Sequence, residues 1–291
     1  MIEAGSETTS STLNSCLLYL LANPQVQKSA QSELDTLPQS RSPTFSDEPS
    51  LPYIRAIVKE ILRLRPVANI GSPRKSDEDV VYKDMFIPRG TNITLFQYAI
   101  QYNPERWREP ERFLPERYLE YPLRSGDYAG IGDFMKRDHF SFGVGRRIWY
   151  PAPQTFPLPF DFSPPSCEWC FFLFGLFLHH SNGPFIPFPF QFNFSFGLIY
   201  SPGMHLAENS LFITIARILW AFDILPGLDS EGKEIPADIE AYEPGLSLTC
   251  PKPFKARFVP RSEEKRRLIV EEWKTAQKEG YVILGDKVRI A

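Results

Sequence analysis

The chain has 291 residues, net charge −3 and a pI near 5.9, so a large core is possible and a nucleic-acid partner is not suggested. Four cysteines (Cys16, Cys167, Cys170, Cys250) lack regular spacing, which argues against a disulfide scaffold and fits a reducing compartment. No signal-peptide pattern opens the sequence, and no uncharged apolar run reaches the roughly 18–20 residues that a membrane span requires.

The first 35 residues begin inside a predicted helix, with Leu13, Cys16, Leu17, Leu20 and Leu21 at three- and four-residue spacing. Asn23-Pro24 opens a second helix with a Val26, Ala30, Leu34 face, and the Pro/Ser/Asp-rich residues 36–50 read as loop. Leu51 to Leu64 is an amphipathic helix on Ile54, Ile57, Val58, Ile61 and Leu62, closed by Pro66. Short strands are expected at 80–82, 85–87 and 93–95, then an irregular, charged stretch over 103–138. Residues 203–222 return to a helix with Leu206, Leu211, Ile215 and Ile218 on its apolar side. Residues 223–260 are expected to be turn-rich with short strands, notably Leu246–Thr249 and Ala256–Val259. A charged helix over 262–279 follows, with Ser262, Glu263 and Glu264 at its favourable end, and then a strand-like tail.

Between them, residues 149–201 are a different material. Phe (13), Pro (9), Ser (5) and Leu (5) make up 32 of the 53 residues, with no Lys or Arg and only Asp161 and Glu168 as acids. Phe-Pro repeats have neither helical nor strand period, because proline interrupts both hydrogen-bond ladders.

Four short stretches carry the chemistry. Phe140 to Ile148 reads FSFGVGRRI, a glycine-rich turn in which Gly143 and Gly145 permit close approach to a flat ligand. Upstream lie Ala4-Gly5-Ser6-Glu7-Thr8-Thr9, then Lys59-Glu60-Ile61-Leu62-Arg63, then Phe113-Leu114-Pro115-Glu116-Arg117-Tyr118. Spacing of three puts Glu60 and Arg63 on one helical face. Taken together and in this order, the four resemble the cytochrome P-450 family. They are similar to its A-G-x-[DE]-T-T, E-x-x-R, P-E-R-[FW] and F-G-x-G-x-R-x-C-x-G patterns. The resemblance covers residues 1–148 and 202 to about 261, and corresponds to the C-terminal half of a family member.

The resemblance implies a mainly helical fold with small β-sheets and a haem b cofactor. It implies insertion of one oxygen of O2 into an apolar small-molecule substrate, the axial thiolate favouring O–O cleavage. An NADPH-dependent flavin reductase at the endoplasmic reticulum membrane is the implied electron donor. Glu7 and Thr8 are the implied proton relay. Phe142, Gly143, Gly145, Arg147 and Gly203 are the implied cofactor-binding residues, with Arg74 a second partner for a haem propionate. Arg117 is expected to complete a buried network with Glu60 and Arg63; the overlapping Pro110-Glu111-Arg112-Phe113 is a competing register. Gln101 stands where the family often has histidine. The N-terminal half, with its anchor and most of the substrate pocket, is expected to be missing.

The principal departure is at the metal ligand. The cysteine position holds Trp149, whose indole nitrogen is only a donor. The pattern resumes at Pro202-Gly203-Met204-His205-Leu206-Ala207-Glu208. Read as codons, Trp149-Tyr150 is TG followed by GTAY, and Tyr200-Ser201 can be TAYAG followed by C. Removing the interval leaves a cysteine codon before Pro202. Residues 149–201 are therefore expected to be a translated intron interrupting one haem domain (1–148 and 202–291), and the chain as written an inactive fragment. Cys167-x-x-Cys170 with His179-His180 is too tightly spaced for a finger-type zinc site, Cys170–Leu178 is too short to span a membrane, and a Phe/Pro partner-binding module is the remaining rival.

Overall fold

A computed structural model describes residues 2–144 and 203–290, apart from 72, 130, 132, 244–247, 279–280 and 285–286. Four long helices form its centre: α1 (Ile2–Ala22), α2 (Pro24–Leu34), α3 (Pro52–Leu64) and, after the interval, α6 (Met204–Ala221). Proline opens both α2 and α3, where its missing N–H costs nothing and its fixed φ already suits a helix. The expected face of α3 is buried throughout, and so are the Val26, Ala30 and Leu34 of α2.

Helix α1 buries more than one face, because Leu18 and Tyr19 are as enclosed as Leu17 and Leu20. Its neighbours are α2, α3, α6 and the strand that follows α6, so it is surrounded rather than laid on a surface. In α6, Leu211, Ile215 and Ile218 are buried as expected, while Leu206 is exposed. The buried stripe of this helix begins with Met204 and Glu208 instead.

The sheets are small, two-stranded and antiparallel. Strand β1 (Arg74–Lys75) pairs with β4 (Asn92–Ile93), so the predicted strand at 93–95 starts a residue earlier and stops at Ile93. Strand β2 (Val80–Tyr82) pairs with β3 (Met85–Ile87), opposing Val81 to Phe86. Strand β5 (Phe222–Pro226), at the start of the stretch where short strands are expected but not one of the two singled out, continues directly from α6 and pairs with β6 (Ala256–Pro260). Strands β7 (Tyr281–Leu284) and β8 (Lys287–Ile290) form the tail. Of the predicted strand at 246–249, residues 246 and 247 lie outside the described residues, and 248–249 are irregular.

Two stretches that read as irregular hold short helices. A 3-10 turn at Phe45–Ser50 is capped by Thr44 and Asp47, each satisfying the other's backbone N–H. After the short α4 (Gln97–Gln101), the stretch 103–138 holds 3-10 turns at Pro115–Tyr118 and Phe134–Lys136 and a short α5 (Ser125–Ala129). The C-terminal α7 (Glu263–Lys278) is held by polar contacts: Arg261 and Lys265 to Asp35, and Glu272 to the Ser42 N–H and hydroxyl.

Candidate functional site around the glycine turn

The site is built on α3. Glu60 and Arg63 are fully buried and face each other in a two-pronged pair, Nε to Oε2 at 2.8 Å and Nη2 to Oε1 at 2.9 Å. Glu60 Oε1 also accepts from the Leu114 backbone N–H at 2.9 Å and from Arg117 Nε at 3.1 Å. Arg117 directs its remaining donors to the carbonyls of Arg108, Glu109 and Arg112. Arg117, rather than Arg112, thus meets Glu60; Arg112 instead pairs with Glu109 on the surface. A desolvated carboxylate is tolerable when its lone pairs are met in this way.

Arg63 links the network to the glycine turn through Gln101. Its Nη1 donates to the Gln101 carbonyl at 2.8 Å. The Gln101 amide accepts from the Phe140 N–H (3.2 Å) and donates to Ser141 Oγ (3.1 Å), and Ser141 Oγ donates to the Leu62 carbonyl. The turn is therefore tied to α3 through both Arg63 and its neighbour Leu62. Gln101, notable in the sequence only as a departure, is the joint, and its burial beside a backbone N–H is what a sequence cannot display.

Gly143 has φ +89°, a left-handed conformation that a side chain would strain, and its N–H closes the turn onto the Phe140 carbonyl at 2.8 Å. Two arginines grip the carbonyls beyond: Arg137 Nη2 holds that of Gly143 at 3.1 Å, and Arg74 Nη2 that of Val144 at 2.6 Å. Phe140 lies between Arg106 and Arg137, 4.9 and 4.7 Å from its ring centre. Burial lowers the pKa of both guanidinium groups. Phe142 packs on the main core and against His139.

The turn and the start of α6 meet on one hydroxyl. Ser125 of α5 donates its hydroxyl to Glu208 Oε1 at 3.0 Å, and its N–H reaches the same oxygen at 3.2 Å. With its proton so used, Ser125 Oγ accepts from His139 Nε2 at 3.1 Å, while His139 Nδ1 accepts from the Ser141 N–H. Burial, with the positive charges of Lys59, Arg137 and Arg106 adding to it against Asp138, lowers the His139 pKa to about 4. Burial raises the Glu208 carboxyl. Burial also pushes Asp138 upwards, but His139 and Lys59, whose Nζ is 3.4 Å away, hold its carboxyl below the usual value. The contacts of Ser125 with His139 and Glu208 join residues 14 and 83 apart, which is why no local motif announces them.

The other expected residues fall as follows. Glu7 and Thr8 lie on α1, Glu7 exposed and Thr8 half-buried with its carbonyl accepting from Thr12 Oγ1. Gly203 caps α6, its carbonyl accepting from the Ala207 N–H at 2.7 Å. Gly145, Arg147, Trp149, Ser201 and the Cys167, Cys170, His179, His180 set lie outside the described residues.

A family model for cytochrome P450 matches residues 1–148. The chain is 42% identical over 292 residues to cytochrome P450 monooxygenase pgmC of Aspergillus terreus, covering 100% of this chain and 45% of that protein. It is 37% identical to cytochrome P450 monooxygenase verL of Clonostachys rogersoniana, covering 96% and 42%. A zebra fish cytochrome P450 solved with abiraterone superposes with TM-score 0.59 at 24% identity, over 89% of this chain and 45% of that one, a likeness of fold. Helices with small antiparallel sheets, a glycine turn on a buried ion-pair helix and these matches define a haem-protein class. The chain belongs to the cytochrome P450 family. It spans less than half the length of the relatives it matches.

The family implies haem, and the donor set decides whether the residues as written can hold its iron. Among the described residues no cluster of His, Cys, Asp or Glu is arranged for a metal. Cys16 is enclosed in the core, its thiol pKa raised by burial, and Cys250 donates to Ser11 Oγ at 3.0 Å. The ligand position of the glycine turn is an indole. The cradle is present up to Val144, but the ligand position holds no thiol, and among the described residues no cysteine is placed to supply the thiolate.

Proposed function

We propose that this chain is the C-terminal part of a haem-dependent monooxygenase that inserts one oxygen atom of O2 into an apolar organic molecule. The observation that carries this is the buried Glu60–Arg63–Arg117 network joined through Gln101 to the glycine turn, in a chain whose relatives are named monooxygenases. On this reading the cofactor is haem b. Phe142, Gly143, Gly145, Arg147 and Gly203 line its ligand side, and Arg74, now on the Val144 carbonyl, is a propionate partner. Glu7 and Thr8 serve as proton-relay residues. Glu60, Arg63 and Arg117 are structural. The electron donor is an NADPH-dependent flavin reductase, and the full-length protein works at the endoplasmic reticulum membrane.

Trp149 favours a second reading for the literal polypeptide: an inactive fragment without a thiolate ligand. The two separate on expression with haem supplied, comparing the chain as written with a form in which a single cysteine replaces residues 149–201. The reduced carbon monoxide difference spectrum should show the red-shifted Soret band of thiolate-ligated haem in the cysteine form alone. Absence of that band from both removes the haem-thiolate reading. Its presence in the chain as written would mean that the ligand lies elsewhere.

A further inference from the structure

The mismatch between a glycine turn formed up to Val144 and an indole at the ligand position has a genetic explanation that the folded flanks support. We propose that residues 149–201 are the translation of an unspliced intervening sequence, and that its removal creates the axial cysteine from the two broken codons at its ends.

Three observations bear on the interval, and the family match marks its upstream edge. The first is the family match, which stops at residue 148, the last residue before the interval. The second is composition. The interval holds 13 of the chain's 24 phenylalanines and 9 of its 28 prolines, with no Lys or Arg. Phe, Pro, Ser and Leu are the residues that pyrimidine-rich codons specify, whereas a solvent-facing insertion needs charge.

The third is the geometry of the flanks. His139, just before the glycine turn, and Glu208, in the second turn of α6, bind the same Ser125 hydroxyl at 3.1 and 3.0 Å. Met204 is buried at the start of α6. The segments that precede and follow the interval thus meet through Ser125. After excision, six residues (145–148, the new cysteine and Pro202) connect Val144 to Gly203, a path that spans up to about 24 Å when extended.

The codons fix the junction. Trp149 is TGG in any organism using the standard code, so its last base and the following TAY of Tyr150 give GTAY, a GT start. If Ser201 is AGC or AGT, Tyr200-Ser201 supplies TAYAG, and the base left over completes TGC or TGT, both cysteine. The excised length is one base of Trp149, the 51 codons from Tyr150 to Tyr200 and two bases of Ser201, 156 nucleotides in all, so the frame is kept. The joined sequence reads FSFGVGRRICPGMHLAE.

The test is reverse transcription and sequencing of the message across Ile148 to Pro202, with the genomic codon of Ser201 read alongside. A product shorter by 156 nucleotides, reading TGC or TGT at the join, is the expected result. A Ser201 codon of the TCN type, a message found only at full length, or a shorter product with a different join each overturn the proposal. The outcome is independent of the proposed activity. A spliced message whose protein shows no thiolate-haem band would leave the junction standing and remove the monooxygenase, whereas a thiolate band from the engineered cysteine form with no spliced message would do the reverse.

Discussion

Glu60 has no exposed surface, and four hydrogen bonds surround its two oxygens. Its partners are unequal. Arg63 is wholly enclosed, occupies both carboxylate oxygens and also holds the Gln101 carbonyl, whereas Arg117 keeps about 10% of its side chain exposed and gives Glu60 one bond. Removing one member of a buried pair leaves the other charge desolvated and unmet, so Arg63→Ala should cost about 3–5 kcal/mol of folding stability. Arg117→Ala, where water can reach the vacated space, should cost less, about 1.5–3 kcal/mol. Arg63→Lys should recover little of the loss, since a single ammonium cannot reproduce the two-pronged geometry. Urea unfolding checks the order: a midpoint shift for Arg117→Ala equal to that for Arg63→Ala would contradict the assignment of Arg63 as the central partner.

At the scale of elements, the hydrophobic period locates α2, α3, α6 and the charge pattern locates α7, because burial of one stripe is written into spacing along a single segment. Where that logic stops is instructive. Leu206 sits on the apolar period of α6 yet faces solvent, because the first turn of that helix is oriented by Glu208 bound to Ser125 rather than by its leucine. The ion-pair residues of α3 are legible from a motif. The joint at Gln101 and the Ser125–His139–Glu208 cluster are not, since each depends on a polar group whose partner lies on a different element. That cluster also makes the molecule pH-sensitive. Neutral His139 uses both ring nitrogens, donating to Ser125 and accepting from the Ser141 N–H of the glycine turn; a second proton would break the latter bond. With a folded pKa of about 4 against roughly 6.5 in the unfolded chain, its contribution is complete above pH 6.5 and is lost as pH falls towards 4. The full loss is about 3 kcal/mol, because each pH unit between the folded and unfolded values is a tenfold change in the folding equilibrium. Glu208 works in the opposite sense. Its raised pKa favours folding at low pH, and that advantage is lost as pH rises. The lowered Asp138 loses its own contribution only at still lower pH, and burial lowers the pKa of the facing cations Lys59, Arg106 and Arg137. His139→Gln keeps a donor and an acceptor without titrating, so the difference between its stability and the parent's should shrink steadily from about pH 7 to about pH 4.5. A constant difference would place the titration on another group.

For the whole molecule, the distribution of exposed apolar surface matters more than its core. The hairpin of β2 and β3 presents Val81 (70% exposed) and Phe86 (63% exposed) directly opposite each other, with Tyr82 and Met85 beside them and Ile70, Ile93 and Phe96 also exposed on neighbouring segments. A hairpin this apolar on its open side is an association hazard in a chain that spans less than half the length of its relatives. The central helices do not depend on it: the core that unites α1, α2, α3 and α6 draws nothing from β2 or β3. The double variant Val81→Lys with Phe86→Glu places opposite charges across the pair, which a two-stranded antiparallel sheet accommodates well. It should leave unfolding stability within about 0.5 kcal/mol of the parent, while light scattering and binding of a hydrophobic dye both fall. Unchanged scattering would show that self-association runs through another surface. A stability loss well beyond that range would show that Val81 and Phe86 are packed in solution, and with it that the hairpin is covered.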